Sequence, residues 1–297
     1  MSADAGEEAS VEHTGIVRDE VAGERHAAAW DNLIGLGGQK NQLLAWAALA
    51  LRAATLDRTA TAVNRLAAIE GPPGTGKTTL ARNLCAPLGD LCAAPVRVIE
   101  FAAHEAMSSE HGRTQREVHR VLTEVVPGLS NGQPTVFVVD EVESLAMHPG
   151  AVSLEANPVD VHRTTDAVLT ALDLLADLSP NIITVVTTNF PDLVDAALRS
   201  RADVTISVPL PTAEAIADIL RSTLAAWAAE FPGLKTLVDH HSISTAAKEL
   251  ASAHIDARQA RKFVLDVLSS DLSTAADPGS LTATALVSAA RDRRGGR

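Results

Sequence analysis

The sequence predicts an α/β protein with a doubly wound, five-stranded parallel sheet and a helical domain after it. Short apolar segments alternate with longer segments of helical periodicity as far as Pro211. One apolar segment leads directly into a glycine-rich turn, and beyond Pro211 only helical patterns follow. These observations predict three regions, which are a flexible acidic tail at 1–28, an α/β domain at 29–210 and a helical domain at 211–297.

Five short segments have the composition of buried strands. Uninterrupted apolar segments rich in Val and Ile are typical of parallel sheets that are covered on both faces. The predicted strands are residues 65–70, 96–101, 134–141, 181–189 and 204–211. Helical spacing predicts helices at 39–54, 77–88, 113–126 and 159–178, and a further helix after Thr212 as its N-cap.

The composition limits where and on what the protein acts. Residues 1–28 hold seven acidic residues and two arginines, which predicts a mobile tail, with a recruitment peptide as the alternative interpretation. The net charge of -12 disfavours direct binding to nucleic acid. No segment approaches 18 uninterrupted apolar residues, and Cys85 and Cys92 lack metal-site spacing. We therefore expect a cytoplasmic protein that contacts neither membrane nor nucleic acid.

The glycine-rich turn at 71–78, GPPGTGKT, matches the phosphate-binding pattern G-x-x-x-x-G-K-[ST]. A predicted strand precedes it and a predicted helix follows, which is the context that this motif requires. Glycines allow backbone N–H groups to converge on phosphate oxygens. Lys77 is expected to reach the β- and γ-phosphates, and Thr78 to bind Mg²⁺. The predicted ATP-binding residues are Gly71, Pro72, Pro73, Gly74, Thr75, Gly76, Lys77, Thr78 and Thr79.

The third predicted strand ends in two acidic residues, Asp140 and Glu141. A carboxylate in the first position can hold Mg²⁺, usually through water, so Asp140 and Thr78 are the predicted metal ligands. Glu141 is then placed to orient or deprotonate an attacking water. The pair therefore predicts hydrolysis of the bound nucleotide.

Three further polar positions complete the predicted catalytic set. Asn189 ends the fourth strand, where its amide can bond to both the attacking water and the γ-phosphate, although an Asn that caps the next turn is the alternative. Arg199 and Arg201 suit an arginine finger supplied in trans to a neighbouring subunit, with Arg201 as the first choice. Arg258 in the helical domain is expected to fold back over the nucleotide of its own subunit.

The order of these motifs, with a helical lid after them, resembles that of the AAA+ ATPases from about Trp30 to Ser270. The segments DEVESL (140–145) and DAALRSRAD (195–203) look like those of the pachytene-checkpoint type, which remodels HORMA-domain proteins. The resemblance assigns Lys77 and Thr78 to nucleotide and Mg²⁺, Asp140 and Glu141 to hydrolysis, Asn189 to the first sensor, Arg201 to the finger and Arg258 to the second sensor.

The same resemblance implies a homo-hexameric ring and a client. The client would be a HORMA-domain protein, accompanied by its nucleotidyltransferase in bacterial anti-phage defence based on cyclic oligonucleotides. Only about 28 residues precede the ATPase domain, so a bacterial form without the N-terminal adaptor domain is expected. Met107 stands where the family has a pore-loop aromatic residue, and an ordinary loop residue is the alternative.

Two other functions remain open at this point. The chain has the motifs of any AAA+ ATPase, so a different class of client is one alternative. A P-loop kinase of a small molecule is the second, because the phosphate-binding loop is common to both kinds of enzyme. The basic end at 291–297 is interpreted as a solvated terminus.

Overall fold

The computed structural model of the protein describes residues 15–56, 58–103, 111–145 and 158–295. Met107, the predicted pore-loop residue, lies outside them. Contacts divide the chain into two compact units. The first comprises residues up to 33, 38–71 and 77–207, and the second comprises 34–37, 72–76 and the residues from 208 onward.

The first unit contains a six-stranded sheet in the order β1-β3-β4-β5-β2-β6. Its strands are β1 (Ile16–Val21), β2 (Leu66–Glu70), β3 (Arg97–Ala102), β4 (Thr135–Asp140), β5 (Ile182–Thr188) and β6 (Val204–Ser207). All five predicted strands are present and run parallel to one another. The predicted parallel sheet is thus confirmed, with β1 as an additional antiparallel edge strand on β3.

The edge strand β1 corrects the prediction of a flexible tail over 1–28. That prediction is wrong from Ile16 onward, since β1 is followed by helix α1 (Glu24–Asp31). The charges that suggested a solvated tail are instead paired with β3, where Arg18 Nε lies 3.1 Å from Glu100 and Arg97 Nη1 lies 2.6 Å from Asp19. Opposite charges across neighbouring strands stabilise their pairing.

Helices cover both faces of this sheet, as expected for a doubly wound fold. They are α2 (Gly37–Arg52), α3 (Arg58–Thr61), α4 (Lys77–Asn83), α5 (Cys85–Cys92), α6 (His111–Arg120), α7 (Val126–Ser130), α8 (Pro158–Leu178) and α9 (Ala196–Arg201). A π-helical turn at Val121–Val125 joins α6 to α7. The predicted helix at 77–88 is divided into α4 and α5 by Leu84, which itself has helical backbone angles.

The middle of the sheet is buried and mostly apolar. Every residue of β5 is buried, as are all residues of β4 except its last. One core joins side chains of β3, β4 and β5 to those of α8, including Phe101, Phe137, Val186 and Leu172. Burial of this kind fixes the strands relative to each other, so the polar residues at their ends have defined positions.

The second unit is helical. Its helices are α10 (Ala213–Glu230), α11 (Lys235–Val238), α12 (Ser242–Ser252), α13 (Ala257–Leu268), α14 (Leu272–Ala276) and α15 (Ala283–Gly295). The predicted N-cap is present, since Thr212 Oγ1 accepts a hydrogen bond of 3.2 Å from Ala215 N. A separate apolar core includes Leu220, Leu250, Phe263 and Leu286. Within the described residues, no helix is both long and apolar enough to cross a membrane.

Candidate functional site

The predicted nucleotide and hydrolysis residues meet where three parallel strands end. Strand β5 lies between β4 and β2. The glycine loop follows β2, Asp140 is the last residue of β4, and Asn189 directly follows β5. Parallel strands present their carboxyl ends at one edge of a sheet, and ligands of open α/β sheets bind there. The topology therefore brings together residues more than a hundred positions apart.

The loop after β2 has the backbone of a phosphate-binding turn. Gly71, Gly74 and Gly76 have φ angles of 147°, 75° and 102°, which residues with a Cβ rarely adopt. Thr75 Oγ1 donates to Pro72 O at 2.9 Å and tightens the turn. A Cβ on Gly74 would lie 2.4 Å from the carboxyl carbon of Asp256. Both its φ angle and this contact therefore favour glycine at position 74.

The predicted lysine and the predicted sensor are in direct contact. Lys77 is buried, and its Nζ donates to Asn189 Oδ1 at 2.6 Å. A hydrogen bond from an ammonium group is stronger than one between neutral groups, so it holds both side chains in place. The amide of Asn189 therefore faces the loop rather than only the turn that follows it.

The two predicted metal ligands also lie side by side. Asp140 Oδ1 accepts a hydrogen bond of 2.8 Å from Thr78 Oγ1, and it accepts a second from Thr187 Oγ1. Hydroxyl and carboxylate oxygens are the ligands that Mg²⁺ prefers, and this ion retains several waters rather than requiring an all-protein cage. The donors present fit Mg²⁺. The described residues contain no group of three or more His, Cys, Asp or Glu that could hold a metal ion.

Two residues of this site escaped the sequence analysis. Thr187 accepts a hydrogen bond of 3.4 Å from Glu141 N while donating to Asp140. Glu143 is buried, and its Oε1 accepts a hydrogen bond of 3.1 Å from Asn189 N. The available signals were a threonine pair at the end of a mostly apolar strand and a third acid in DEVE. Neither signal identifies a contact partner without the fold.

Arg201 lies at the opposite end of the parallel strands, where they begin. Asn64, which precedes β2, donates from Nδ2 to Arg201 O at 3.0 Å, and Asp203 N donates to Leu66 O at 2.7 Å. Arg201 thus lies at the amino end of β2, whereas the glycine loop follows its carboxyl end. Five residues of strand separate these ends by about 15 Å. The fold does not bring Arg201 to the nucleotide loop of its own chain.

The guanidinium group of Arg201 is held by its own subunit. Nε and Nη2 donate to the Asp173 carboxylate at 3.2 and 3.1 Å, and Nη1 donates to Ala197 O at 3.1 Å. Arg199, two residues earlier on α9, is exposed. It borders a small pocket with Glu70 and Thr188, at the carboxyl ends of β2 and β5. The two candidate arginines therefore differ in both position and partners.

In the second unit, helix α13 begins beside the glycine loop. Asp256 caps it, since its Oδ1 accepts from Gln259 N at 2.8 Å while Gln259 Oε1 accepts from Asp256 N at 3.2 Å. Arg258 N donates to Gly74 O at 3.1 Å, and the Arg258 side chain is exposed. The backbone of the predicted second sensor thus contacts the loop directly.

Comparison with known proteins identifies the family. The family model described as "ATPase family associated with various cellular activities (AAA)" matches residues 67–210. CD-NTase-associated protein 6 of Pseudomonas aeruginosa is 39% identical over 89% of this chain and 87% of its own length. The chain belongs to the AAA family of ATPases. Nucleotide binding and ATPase activity, as predicted, are general properties of this AAA family.

A second relative and a solved structure show which AAA proteins this chain is similar to. The Pachytene checkpoint protein 2 homolog of Oryza sativa subsp. indica is 36% identical over 66% of this chain. The alignment covers 42% of that relative, so the chain spans less than half of its length. The predicted resemblance to the pachytene-checkpoint type is confirmed. A chain of the E. coli MS115-1 HORMA:CdnC:Trip13 complex has the same fold, with a TM-score of 0.73, 15% identity and coverage of 93% and 95% of the two chains.

Proposed function

We propose that this AAA protein forms a homo-hexameric ring that hydrolyses ATP to remodel a HORMA-domain protein. The remodelling disassembles a signalling complex of that protein with its nucleotidyltransferase, in bacterial anti-phage defence. Support for the client comes from a relative named for its association with a CD-NTase and from a fold neighbour solved with HORMA and CdnC. The acidic composition and two unpaired cysteines fit action in the reducing cytoplasm.

The hydrolysis chemistry is assigned to the strand-end cluster. Lys77 and the loop backbone hold the β- and γ-phosphates, and Thr78 with Asp140 would hold Mg²⁺. When bound, Mg²⁺ neutralises charge on the phosphate oxygens. Glu141 orients the attacking water and accepts its proton. Asn189, fixed by its 2.6 Å contact with Lys77, bonds to that water and to the γ-phosphate.

The observation that supports a ring is the separation of Arg201 from the nucleotide loop of its own chain. An arginine at the amino end of β2 can neutralise transition-state charge only at the site of another subunit. Hydrolysis then requires contact between subunits, which closed rotational symmetry supplies to every subunit equally. Arg258 reports the nucleotide state to the helical unit of the same chain.

Replacing the proposed general base tests this function. Glu141→Gln keeps the size and polarity of the side chain but cannot accept the proton of the attacking water. We expect unchanged ATP binding and a fall in the hydrolysis rate of about 100-fold or more. The variant ring should also remain bound to a HORMA-domain protein from the same source when ATP is present. Steady-state phosphate release and co-purification on the tagged HORMA protein measure the two effects.

The matched control is Glu117→Gln, which neutralises a glutamate that forms an ion pair with Arg120 on the same helix. It should hydrolyse ATP and release the HORMA protein at native rates. Native turnover in Glu141→Gln would remove Glu141 from its role. If Glu141→Gln loses hydrolysis as expected but does not retain the HORMA protein, the proposed client is contradicted and the ATPase assignment stays intact.

A further inference from the structure

The turn that carries Glu141 has an unfavourable backbone conformation. Glu141 has φ 55° and ψ 51°, in the left-handed region that residues with a Cβ seldom occupy. Such a conformation persists only where the surrounding contacts over-determine it, and it is concentrated at functional sites. The direction of the Glu141 carboxylate therefore depends on whatever holds the turn at 141–145.

Part of this restraint is local. Ser144 N donates to Glu141 O and Leu145 N donates to Val142 O, both at 2.9 Å, which closes a single 3₁₀ turn. Val142 and Leu145 are buried in the core of the first unit. These contacts shape the turn and attach it to the core. A hydrogen bond of 3.4 Å from Glu141 N to Thr187 Oγ1 joins the start of the turn to β5, but it does not involve Asn189 itself.

Glu143 connects the turn to Asn189 directly. The residue is only 7% exposed, and its Oε1 accepts a hydrogen bond of 3.1 Å from the backbone N–H of Asn189. Asn189 Oδ1 in turn accepts from Lys77 Nζ at 2.6 Å. One side chain thus joins the turn after β4 to the residue after β5, and through it to the lysine of the glycine loop.

The other oxygen of Glu143 shows that general stability does not explain this residue. Oε2 is buried without a hydrogen-bond partner among the described residues. Burying a carboxylate with an unpaired oxygen is unfavourable, and an apolar side chain would avoid the cost. Glu100 is buried to a similar degree, yet its two oxygens are bonded to Arg82 and Arg18. Glu143 resembles an anchor for one N–H group more than a member of an ion-pair network.

We propose that Glu143 is a positioning residue for ATP hydrolysis. By binding the backbone N–H of Asn189, it fixes the distance between the turn that carries Glu141 and the strand end that carries the sensor. Water held between the Glu141 carboxylate and the side-chain amide of Asn189 then meets the γ-phosphate in a constant geometry. This inference rests on the proposed hydrolytic function and assigns no contact with nucleotide to Glu143 itself.

Three variants test the proposal in the full-length protein. Glu143→Ala removes the acceptor, Glu143→Gln keeps an acceptor oxygen but loses the charge, and Ser144→Ala alters the neighbouring position of the same turn. Steady-state ATP hydrolysis supplies kcat and KM, equilibrium binding of a fluorescent ADP analogue supplies affinity, and thermal unfolding supplies Tm. Hydrogen exchange at the Asn189 amide reports the contact directly.

A misplaced catalytic group costs about 10- to 100-fold in rate, so we expect kcat of Glu143→Ala to fall by that factor. ADP affinity should stay within about twofold of native, since positioning acts on the transition state. Glu143→Gln should recover most of the lost kcat, and Ser144→Ala should match the native protein. The Asn189 amide should exchange faster in Glu143→Ala than in Glu143→Gln.

Other outcomes overturn the proposal. Native kcat in Glu143→Ala would show that the turn needs no anchor. A parallel loss of kcat, ADP affinity and Tm would indicate a structural role, and a Gln variant as slow as the Ala variant would indicate that the charge is what matters. A native protein without ATP hydrolysis would contradict the proposed function and this inference together, whereas an active native protein with unaffected variants would contradict the inference alone.

Discussion

Single hydroxyl and carboxylate groups set the local geometry of the site. Asp140 accepts hydrogen bonds from the hydroxyl group of Thr78, in the first turn of α4, and from that of Thr187, near the end of β5. Each of these bonds is short-range and directional, so a side chain one atom longer or shorter changes the position of the carboxylate. The same dependence on one group applies away from the site, where the buried His26 of α1 lies beside Glu20 of the edge strand.

His26 is expected to make the stability of the protein depend on pH. It is 3% exposed, its Nδ1 accepts from Gly23 N at 3.1 Å, and burial lowers its pKa below the ordinary 6.5 even though Glu20 opposes that effect. Because the unfolded chain then binds more protons, the free energy of unfolding should decrease as the pH falls through about 6.5. Urea unfolding at about pH 7.5 and about pH 5.5 measures this decrease.

In His26→Gln the decrease should be smaller, because the titrating group is absent. The matched control His119→Gln removes an exposed histidine and should keep the native pH dependence. An equal decrease in the native protein and in His26→Gln would show that another group carries it.

Among the helices and strands, β1 is attached to the sheet by charged side chains more than by apolar contacts. Ile16 is the one residue of this strand that is buried. Glu100 on β3 binds Arg18 of β1 on one side and Arg82 of α4 on the other. Since α4 directly follows the glycine loop, this carboxylate joins the edge strand to the helix that supports the nucleotide site.

Glu100→Ala should lower the free energy of unfolding by about 2 kcal/mol, since it removes two charge-assisted hydrogen bonds from a buried group. The control Glu117→Ala removes an exposed i,i+3 ion pair with Arg120 and should cost no more than about 0.5 kcal/mol. Chemical denaturation of both variants provides the comparison. Equal values would mean that the buried network contributes nothing beyond a surface ion pair.

In the first unit as a whole, the proposed nucleotide residues and the proposed arginine finger lie at opposite ends of the parallel strands. The loop, Asp140 and Asn189 lie at the carboxyl edge, while Arg201 lies at the amino edge and is held by Asp173. In the proposed ring, each subunit supplies its arginine to a neighbouring subunit. Under that proposal, assembly is a condition for activity rather than a consequence of it.

Mixing two inactive variants tests this arrangement. Arg201→Ala keeps an intact nucleotide loop, and Lys77→Ala keeps an intact arginine. Each variant alone should hydrolyse ATP poorly. An equal mixture should recover about a quarter of the native rate, because half of the sites retain Lys77 and half of those face an intact Arg201. Phosphate release by the mixed rings measures the recovery.

The matched control is Arg199→Ala on the same helix, which should retain native activity without mixing. No recovery in rings shown to contain both variants would argue against an arginine supplied in trans. Loss of activity in Arg199→Ala, restored by the Lys77→Ala subunit, would transfer the role from Arg201 to Arg199.

Much of the fold was predictable because its signals are local. The five parallel strands are short, apolar and bounded by polar residues, and the glycine loop and Thr212 cap are defined by neighbouring positions. Thr187 and Glu143 were not predictable, because a threonine or glutamate acquires its role from a partner far away in the chain. The tail prediction failed at β1 for the same reason, since its charges match partners on β3.

The sequence by itself determined that the protein has a nucleotide loop, two acids and an asparagine at successive strand ends, since motif and periodicity are properties of the chain. Only the tertiary structure decided which of these groups touch. It brought the Asn189 side chain into contact with Lys77 and put Asp140 between two hydroxyl groups. It also brought the Glu143 carboxylate to the backbone N–H of Asn189. It also placed Arg201 at the other end of β2, because strand order and direction, unlike motifs, are set by packing of the whole sheet.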